Sequence, residues 1–243
     1  MNDNIVVCLQ DGGDREWAHT LAARLNTEVT DSNGDKLTVV FDDAGVSLTG
    51  YGLSYRGDFG GMIRRVSDGR LLHEMLVKAV KTNETKHKAV DATAGMGEDA
   101  FLIAAYGYDV TLYEQNPVIA TLLKDAIRRA KLSPDTKDIA SRMHLVEGDS
   151  IELLKEGMNG LDVIYLDPMF PARQKSGLIN KKLQLIQKLE PPCSGEEELF
   201  DAAIKAGPKK IVVKRPLKSP NLAGRKPNYV LNGKAIRYDV YLV

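Results

Sequence analysis

The fold of this 243-residue chain can be inferred from one segment, Ala89-Val90-Asp91-Ala92-Thr93-Ala94-Gly95-Met96-Gly97-Glu98-Asp99-Ala100. It begins as an apolar run, reaches a carboxylate at Asp91, passes two glycines and continues into a helical segment over residues 100–105. Glycines let the backbone turn sharply and come close to a ligand, and the N-terminus of a helix offers free N–H groups. The stretch therefore predicts a strand, a ligand-binding loop and a helix, in that order.

Apolar runs and helical segments alternate on both sides of this loop. Further strands are predicted at residues 110–113, 143–146, 163–166 and 211–213, and helices at residues 71–80, 118–130, 151–154 and 196–206. Such alternation is typical of parallel βαβ units. Two last strands, 229–231 and 235–242, flank Asn232-Gly233, which is a strong hairpin signal. We predict an α/β, Rossmann-like fold with a seven-stranded, mostly parallel sheet and an antiparallel C-terminal hairpin, the outline of class I methyltransferases that use S-adenosylmethionine.

The first part of the chain has a different pattern. Short strand-like runs at residues 5–9, 37–41 and 46–48 accompany one helical stretch at residues 17–25. We therefore predict a small N-terminal α+β domain over residues 1–60 and a cofactor-binding domain over residues 61–243.

The composition excludes several classes of protein. A hydrophobic fraction of 43% and only two cysteines, with no Cys/His cluster, exclude a disordered chain and a disulfide scaffold and suggest no metal site. No apolar run approaches the roughly 18 residues that span a bilayer, and no signal peptide precedes the first strand, so we expect a cytoplasmic protein without membrane contact.

Charge is unevenly distributed along the chain. The totals of 33 basic and 33 acidic residues cancel, which on its own argues against a nucleic-acid partner. However, residues 1–50 hold nine acids against three bases, so the remainder is net basic. Its bases gather over residues 173–188 and 205–226, two stretches without any acid. These stretches are either solvated faces or contacts for a polyanion.

Three polar positions near the loop bear on the ligand. Gly95-x-Gly97-x-x-Ala100 fits a dinucleotide as well as S-adenosylmethionine, but Asp91 suits a cationic amino-acid tail and would repel a pyrophosphate. Glu114-Gln115 ends the next strand, where a carboxylate accepts hydrogen bonds from ribose hydroxyls of either cofactor. Asp149-Ser150 offers acceptors for an adenine amine, or a helix N-cap, and the two roles can coexist.

The segment Val163-Ile-Tyr-Leu-Asp167-Pro168-Met-Phe170-Pro171 is the most specific one. A buried strand runs into a carboxylate, two prolines and an aromatic residue. An exocyclic amine on a base is a poor nucleophile, so a methylating site must hold and aim it while an aromatic ring stacks on the extruded base. Asp167 and the Pro168 carbonyl are the predicted acceptors, and Phe170 is the predicted stacking residue.

These motifs, together with Val212-Val-Lys-Arg-Pro216 and Gly233-Lys-Ala-Ile-Arg-Tyr-Asp-Val-Tyr241, resemble the bacterial small-subunit ribosomal RNA guanine-N2 methyltransferases of the RsmJ type over about residues 50–243. The resemblance implies methyl transfer from S-adenosylmethionine to N2 of a guanine near the 3′ end of 16S rRNA. It also implies cofactor contacts at Glu98-Asp99, Glu114-Gln115, Asp149-Ser150 and Asp167. Glu98 and Gln115 depart from the usual residues of that family.

With this resemblance, both basic stretches are predicted to lie beside the pocket. Arg173 and Lys175 follow the Asp167–Phe170 segment, while Lys214 and Arg215 end a later strand, so we expect all four to contact RNA phosphates. Three alternatives stay open at this point. They are an adenine-N6 or protein-amide methyltransferase, an NAD-dependent oxidoreductase, and a non-catalytic RNA-binding module.

Overall fold

The protein contains two β-sheets in the computed structural model, which describes residues 5–32, 36–67, 69–83, 87–157, 160–168, 185, 189 and 195–243. The strands of the smaller sheet are β1 (Ile5–Leu9), β2 (Val29–Thr30), β3 (Leu37–Asp42), β4 (Gly45–Gly50) and β5 (Leu53–Tyr55). Those of the larger sheet are β6 (His87–Asp91), β7 (Tyr108–Glu114), β8 (Met143–Glu147), β9 (Val163–Leu166), β10 (Lys210–Pro216), β11 (Tyr229–Asn232) and β12 (Ile236–Leu242).

The larger sheet has the strand order β11-β12-β10-β9-β6-β7-β8. Strands β10, β9, β6, β7 and β8 run parallel, and β12 pairs antiparallel with both β10 and β11. The predicted α/β fold with its antiparallel C-terminal hairpin is therefore confirmed. The chain builds outward from β6 in one direction to β8, then returns to add β9 on the other side of β6. Ligands of such sheets bind at the carboxyl ends of the strands beside this reversal, which is where Asp91 and Asp167 lie.

The helices are α1 (Arg15–Leu25), α2 (Ile63–Val66), α3 (Met75–Val80), α4 (Glu98–Ala105), α5 (Pro117–Leu132), α6 (Lys137–Ala140), α7 (Ser150–Lys155) and α8 (Glu196–Lys205). One prediction differs from this arrangement. Residues 71–80 do not form a continuous helix, because Glu74 adopts extended angles (φ −61°, ψ 127°) between a 3-10 turn and α3. There its carboxylate accepts hydrogen bonds from Arg65 Nε and Nη2, both at 2.8 Å. In the described residues no helix is both long and apolar enough to cross a bilayer.

Helix α5 serves both sheets. Asn116 caps its N-terminus by accepting from the backbone of residues 118 and 119, and Pro117 occupies its first turn, where no N–H is needed. One face of α5 packs on β7 and β8, while Ile119 and Leu122 join Val46 and Leu48 of the smaller sheet in a common core. Since α5 contributes to both cores, a domain boundary near residue 60 stays a prediction.

Candidate active site

The loop after β6 is shaped by its two glycines. Gly95 and Gly97 have φ angles of 52° and 74°, which other residues adopt only with strain. A Cβ on Gly97 would lie 2.6 Å from Leu123 Cδ1 of α5, so this glycine allows the loop to pack against the helix. A Cβ on Gly95 would meet only Thr93 O, at 3.9 Å, so the other glycine leaves the front of the loop open to a ligand.

Glu114 fastens this loop to the next strand. Its Oε2 accepts a hydrogen bond from Gly95 N at 3.0 Å, and its Oε1 accepts one from Asn116 N at 2.8 Å. Glu114 thus stands at the end of β7, where a carboxylate can accept hydrogen bonds from the hydroxyls of a ribose. Gln115, its neighbour, is exposed.

Asp91 supplies a buried carboxyl group at the end of β6. The residue is 1% exposed, and Oδ1 accepts from Thr93 N at 3.1 Å. Burial raises the pKa of Asp91 to about 8, although the hydrogen bond from Thr93 opposes this shift. The carboxyl group is therefore mostly protonated at neutral pH, and a cationic ligand group beside it would favour the ionised form.

Asp167 lies directly beside the glycine loop. Its N–H donates to Thr93 Oγ1 at 2.6 Å, which joins the end of β9 to the loop after β6. Its Oδ2 lies 2.8 Å from Lys214 Nζ, and that same nitrogen lies 2.7 Å from Asp99 Oδ2. Tyr165 OH donates to the same Asp99 oxygen at 2.6 Å. We call Asp99, Asp167, Lys214 and Tyr165 the carboxylate–lysine cluster.

Burial and neighbouring charges act in opposite directions on the pKa values of Asp167 and Lys214. Burial raises the pKa of Asp167, the Lys214 ammonium lowers it, and the Asp99 carboxylate raises it; the net direction is upward. Burial acts to lower the pKa of Lys214, but the carboxylates of Asp167 and Asp99 outweigh it and hold this pKa above its ordinary value. Lys214 is therefore a firmly charged ammonium group between two acids.

Arg215 requires a correction to the predicted RNA contacts. It is 2% exposed, its Nε and Nη2 donate to Pro220 O at 3.0 and 2.7 Å, and its Nη1 donates to Glu196 at 3.1 Å. An RNA phosphate cannot reach a guanidinium group held inside the fold, so the assignment of Arg215 to RNA is wrong. Lys214, with a side chain only 25% exposed, points into the site instead.

The other predicted residues lie further out or outside the described chain. Asp149 is exposed and caps α7 by accepting from Ile151 N at 2.8 Å, with Ser150 half-buried beside it. Glu98 is exposed at the start of α4. Pro168 is buried, and three residues, Phe170, Arg173 and Lys175, lie outside the described residues.

Two hydroxyl groups were missed by the sequence predictions. Thr93 bridges Asp91, to which its backbone N–H donates, and Asp167, whose N–H donates to the Thr93 hydroxyl; the Tyr165 hydroxyl anchors Asp99. A signal existed for Tyr165, since residues two apart on a strand share a face and Tyr165 precedes Asp167 by two. The bridging role of Thr93 depends on the pairing of β6 with β9, which the local sequence does not encode.

The residues at these strand ends suit S-adenosylmethionine chemically. An open glycine loop, a buried acid at the end of β6 and the Glu114 carboxylate at the end of β7 converge at one edge of the sheet. A pyrophosphate would instead face the carboxylates of Asp99 and Asp167, which outnumber the single Lys214 ammonium group between them. This combination of side chains and loop favours S-adenosylmethionine over a dinucleotide.

Known proteins similar to this chain point the same way. The model of a SAM-dependent methyltransferase family, named after S-adenosylmethionine, matches residues 53–243. Ribosomal RNA small subunit methyltransferase J of Thioalkalivibrio sulfidiphilus is 39% identical over 239 residues, which cover 94% of this chain and 93% of that protein. The protein of the same name from Dechloromonas aromatica is 44% identical over 171 residues, 69% of each chain. The crystal structure of a SAM-dependent methyltransferase from Neisseria gonorrhoeae superposes with a TM-score of 0.76 and 32% identity, covering 98% of this chain and 96% of that one. The chain therefore belongs to the family of SAM-dependent methyltransferases that includes the proteins named ribosomal RNA small subunit methyltransferase J.

Proposed function

We propose that this protein transfers a methyl group from S-adenosylmethionine to the exocyclic N2 of a guanine in 16S rRNA, free or within the small ribosomal subunit. The names of its relatives support the substrate class. One observation carries the chemistry: the 2.6 Å hydrogen bond from Asp167 N to Thr93 Oγ1. It holds the proposed amine acceptor, the Asp167 carboxylate, against the loop that would hold the methyl donor.

The reaction asks for positioning more than for acid–base power. The lone pair of an aryl amine is delocalised into its ring, so the amine must be held and aimed before it attacks. Asp167 and the Pro168 carbonyl are the proposed acceptors for its two hydrogens, with Phe170 stacked on the base. An aspartate does not remove a proton from a neutral aryl amine, so we assign proton loss to the transfer step or to the moment after it.

The cofactor would be held by residues at four strand ends. When bound, S-adenosylmethionine supplies a methyl group on a positively charged sulfur, which is the electrophile. Asp91 would face its ammonium group, Glu114 its ribose hydroxyls, and Asp149 with Ser150 its adenine amine. Gly95 and Gly97 would let the backbone approach it. Glu98, Asp99, Gln115 and Asp167 complete the proposed contacts.

For RNA binding we retain Arg173 and Lys175 as proposed phosphate contacts. Phosphate contacts supply salt-dependent affinity, while the pocket selects the base. The proposed substrate also implies that the protein works in the cytoplasm, where ribosomal subunits are assembled.

The test replaces Asp167 and follows the methyl group. Asp167→Ala should lower single-turnover transfer from labelled S-adenosylmethionine to 16S rRNA by about 10²-fold, the scale of a misplaced reacting group. The matched control is Asp201→Ala, which removes an exposed aspartate of α8 paired with Arg225 at 3.0 Å and should leave the rate unchanged.

Three outcomes would contradict the proposal. Full turnover by the Asp167→Ala variant would remove Asp167 from the chemistry. Label found on adenine N6 or on a protein amide would show another substrate. Calorimetry that detects NAD binding but no S-adenosylmethionine binding would exclude methyl transfer altogether.

A further inference from the structure

We propose that Lys214 is a positioning residue of the methyl-transfer site: its ammonium group ties the Asp167 carboxylate to Asp99 and keeps Asp167 oriented and ionised to accept the target amine. This inference rests on the proposed function. It replaces the expectation that Lys214 contacts an RNA phosphate.

Strand register brings Lys214 to Asp167. Val213 of β10 lies opposite Leu166 of β9 in a parallel pair. The residues that follow them, Lys214 in β10 and Asp167 just after β9, are therefore neighbours. Side chains at matching positions of adjacent strands lie on the same face of the sheet. The lysine is thus fixed by the sheet itself, and its Nζ reaches Asp167 Oδ2 at 2.8 Å.

Asp99 provides the second anchor for the lysine. Its Oδ2 accepts from Lys214 Nζ at 2.7 Å and from Tyr165 OH at 2.6 Å. Burial raises the pKa of Tyr165 well above its ordinary value, so the phenol keeps its proton and donates. With two donors on this one oxygen, Asp99 has a fixed orientation, and it fixes Lys214 in turn.

The charges around Asp167 show what the lysine contributes. Among the described residues, the titratable and charged groups that act on Asp167 from the surrounding elements are Asp91, Asp99, Tyr165, Lys214, Arg215 and Tyr238, and Arg65 acts on Asp99. Burial and the neighbouring carboxylates favour a protonated Asp167, whereas the Lys214 ammonium opposes them, more strongly than the Arg215 guanidinium does. A protonated carboxyl group would turn a hydrogen toward the amine, so it would hold the amine less well than a carboxylate with two accepting oxygens.

The experiment compares Lys214→Met, which keeps the length of the side chain but removes its charge, with Lys214→Arg, which keeps the charge. Single-turnover methyl transfer to 16S rRNA is measured from pH 5.5 to pH 9. We expect Lys214→Met to lose roughly 10²-fold in rate at neutral pH, the scale of a misplaced reacting group. We also expect the acidic limb of its pH–rate profile, where the rate falls as Asp167 is protonated, to move to higher pH. In Lys214→Arg, the acidic limb should lie close to its position in the unmodified protein. Lys218→Met, at an exposed lysine just after β10, should leave the limb in place.

A second readout uses neither RNA nor cofactor. Carbon-13 NMR of labelled aspartate carboxyls, with the Asp167 signal assigned from Asp167→Asn, follows the titration of Asp167 in the free protein. In Lys214→Met this titration should move to higher pH, and in Lys214→Arg it should stay near that of the unmodified protein. A wild-type protein that methylates no rRNA would refute the proposed function, while the NMR titration would still decide the role of Lys214.

Two results would overturn the inference. One is an Asp167 titration that Lys214→Met leaves unchanged. The other is a Lys214→Met variant with an unchanged pH profile whose RNA affinity falls and depends less on salt, because that is the behaviour of a phosphate contact.

Discussion

Asp91 carries a buried carboxyl group whose environment disfavours ionisation. Its carboxyl group lies among the acids Asp99 and Asp167, almost fully removed from water. A buried carboxyl group far from its ordinary pKa costs free energy when it ionises. A ligand with an ammonium group would recover that cost, which is why such residues mark functional sites.

The pH dependence of stability tests this reading of Asp91. The pKa of Asp91 is about 8 in the folded protein against an ordinary value of 3.8, so between these values the folded state holds a proton that the unfolded chain lacks. The contribution of Asp91 to the free energy of unfolding therefore falls as pH rises from about 4 to about 8. Asp91→Asn should remove this decline.

Urea midpoints of the cofactor-free protein at pH 5.5, 7.0 and 8.5 measure the effect. The two proteins should differ most at pH 8.5, where the native aspartate is ionised and the asparagine variant is relatively more stable. An identical pH slope for both proteins would show that Asp91 titrates normally.

At the level of the elements, the strands of the larger sheet could be predicted closely. Parallel strands are buried on both faces and appear as continuous apolar runs, so β9 and the core of β10 were found directly. The two-residue strand β2 and the three-residue strand β5 were missed, because so few half-exposed residues give no periodicity. Asp91 and Asp167 could be placed because each ends a strand.

Lys214 and Arg215, which are predicted together from the sequence as RNA contacts, point in different directions in the structure. Adjacent residues on a strand point to opposite faces, so the two could not share one role. Lys214 faces the site and Arg215 faces Glu196 and Pro220. The direction in which each side chain points depends on the pairing of β9 with β10, two strands that lie more than forty residues apart in the chain.

The glycine loop permits a matched pair of substitutions. Gly97→Ala should lower the free energy of unfolding by about 2–4 kcal/mol, because it combines a left-handed backbone with overlap against Leu123. Gly95→Ala has the backbone strain but open space in front, so it should cost about 1–2 kcal/mol and weaken S-adenosylmethionine binding instead. Urea unfolding and calorimetry measure the two effects, and equal stability losses would contradict the packing role of Gly97.

On the scale of the whole molecule, α5 couples the two sheets through a buried acid. Asp125 is fully buried and accepts hydrogen bonds from Val46 N at 3.0 Å, Arg128 at 2.8 Å and Arg129 at 2.7 Å. Arg129 also donates to Gly57 O, in the segment that leads from the first sheet to the second. The N-terminal unit is thus fastened to the core of the methyltransferase fold rather than tethered beside it.

Breaking this connection should destabilise the entire chain. Asp125→Ala leaves the buried Val46 N–H without its partner, which costs about 1–3 kcal/mol, while the two arginines can turn toward water. The urea midpoint should fall in one cooperative transition. The control, Glu152→Ala, removes an exposed partner of Lys155 in α7 and should leave the midpoint unchanged. Separate unfolding of residues before and after about position 60 in either protein would contradict the shared core.

We propose that this protein methylates N2 of a guanine in 16S rRNA while Asp167 holds the amine. The proposal is tested by mapping N2-methylguanine in 16S rRNA from cells that have the gene, lack it, or carry Asp167→Ala in its place. The predicted result is one N2-methylguanine near the 3′ end of the RNA that is present with the native gene and missing in both other strains. The same N2-methylguanine pattern in all three strains would contradict the claim.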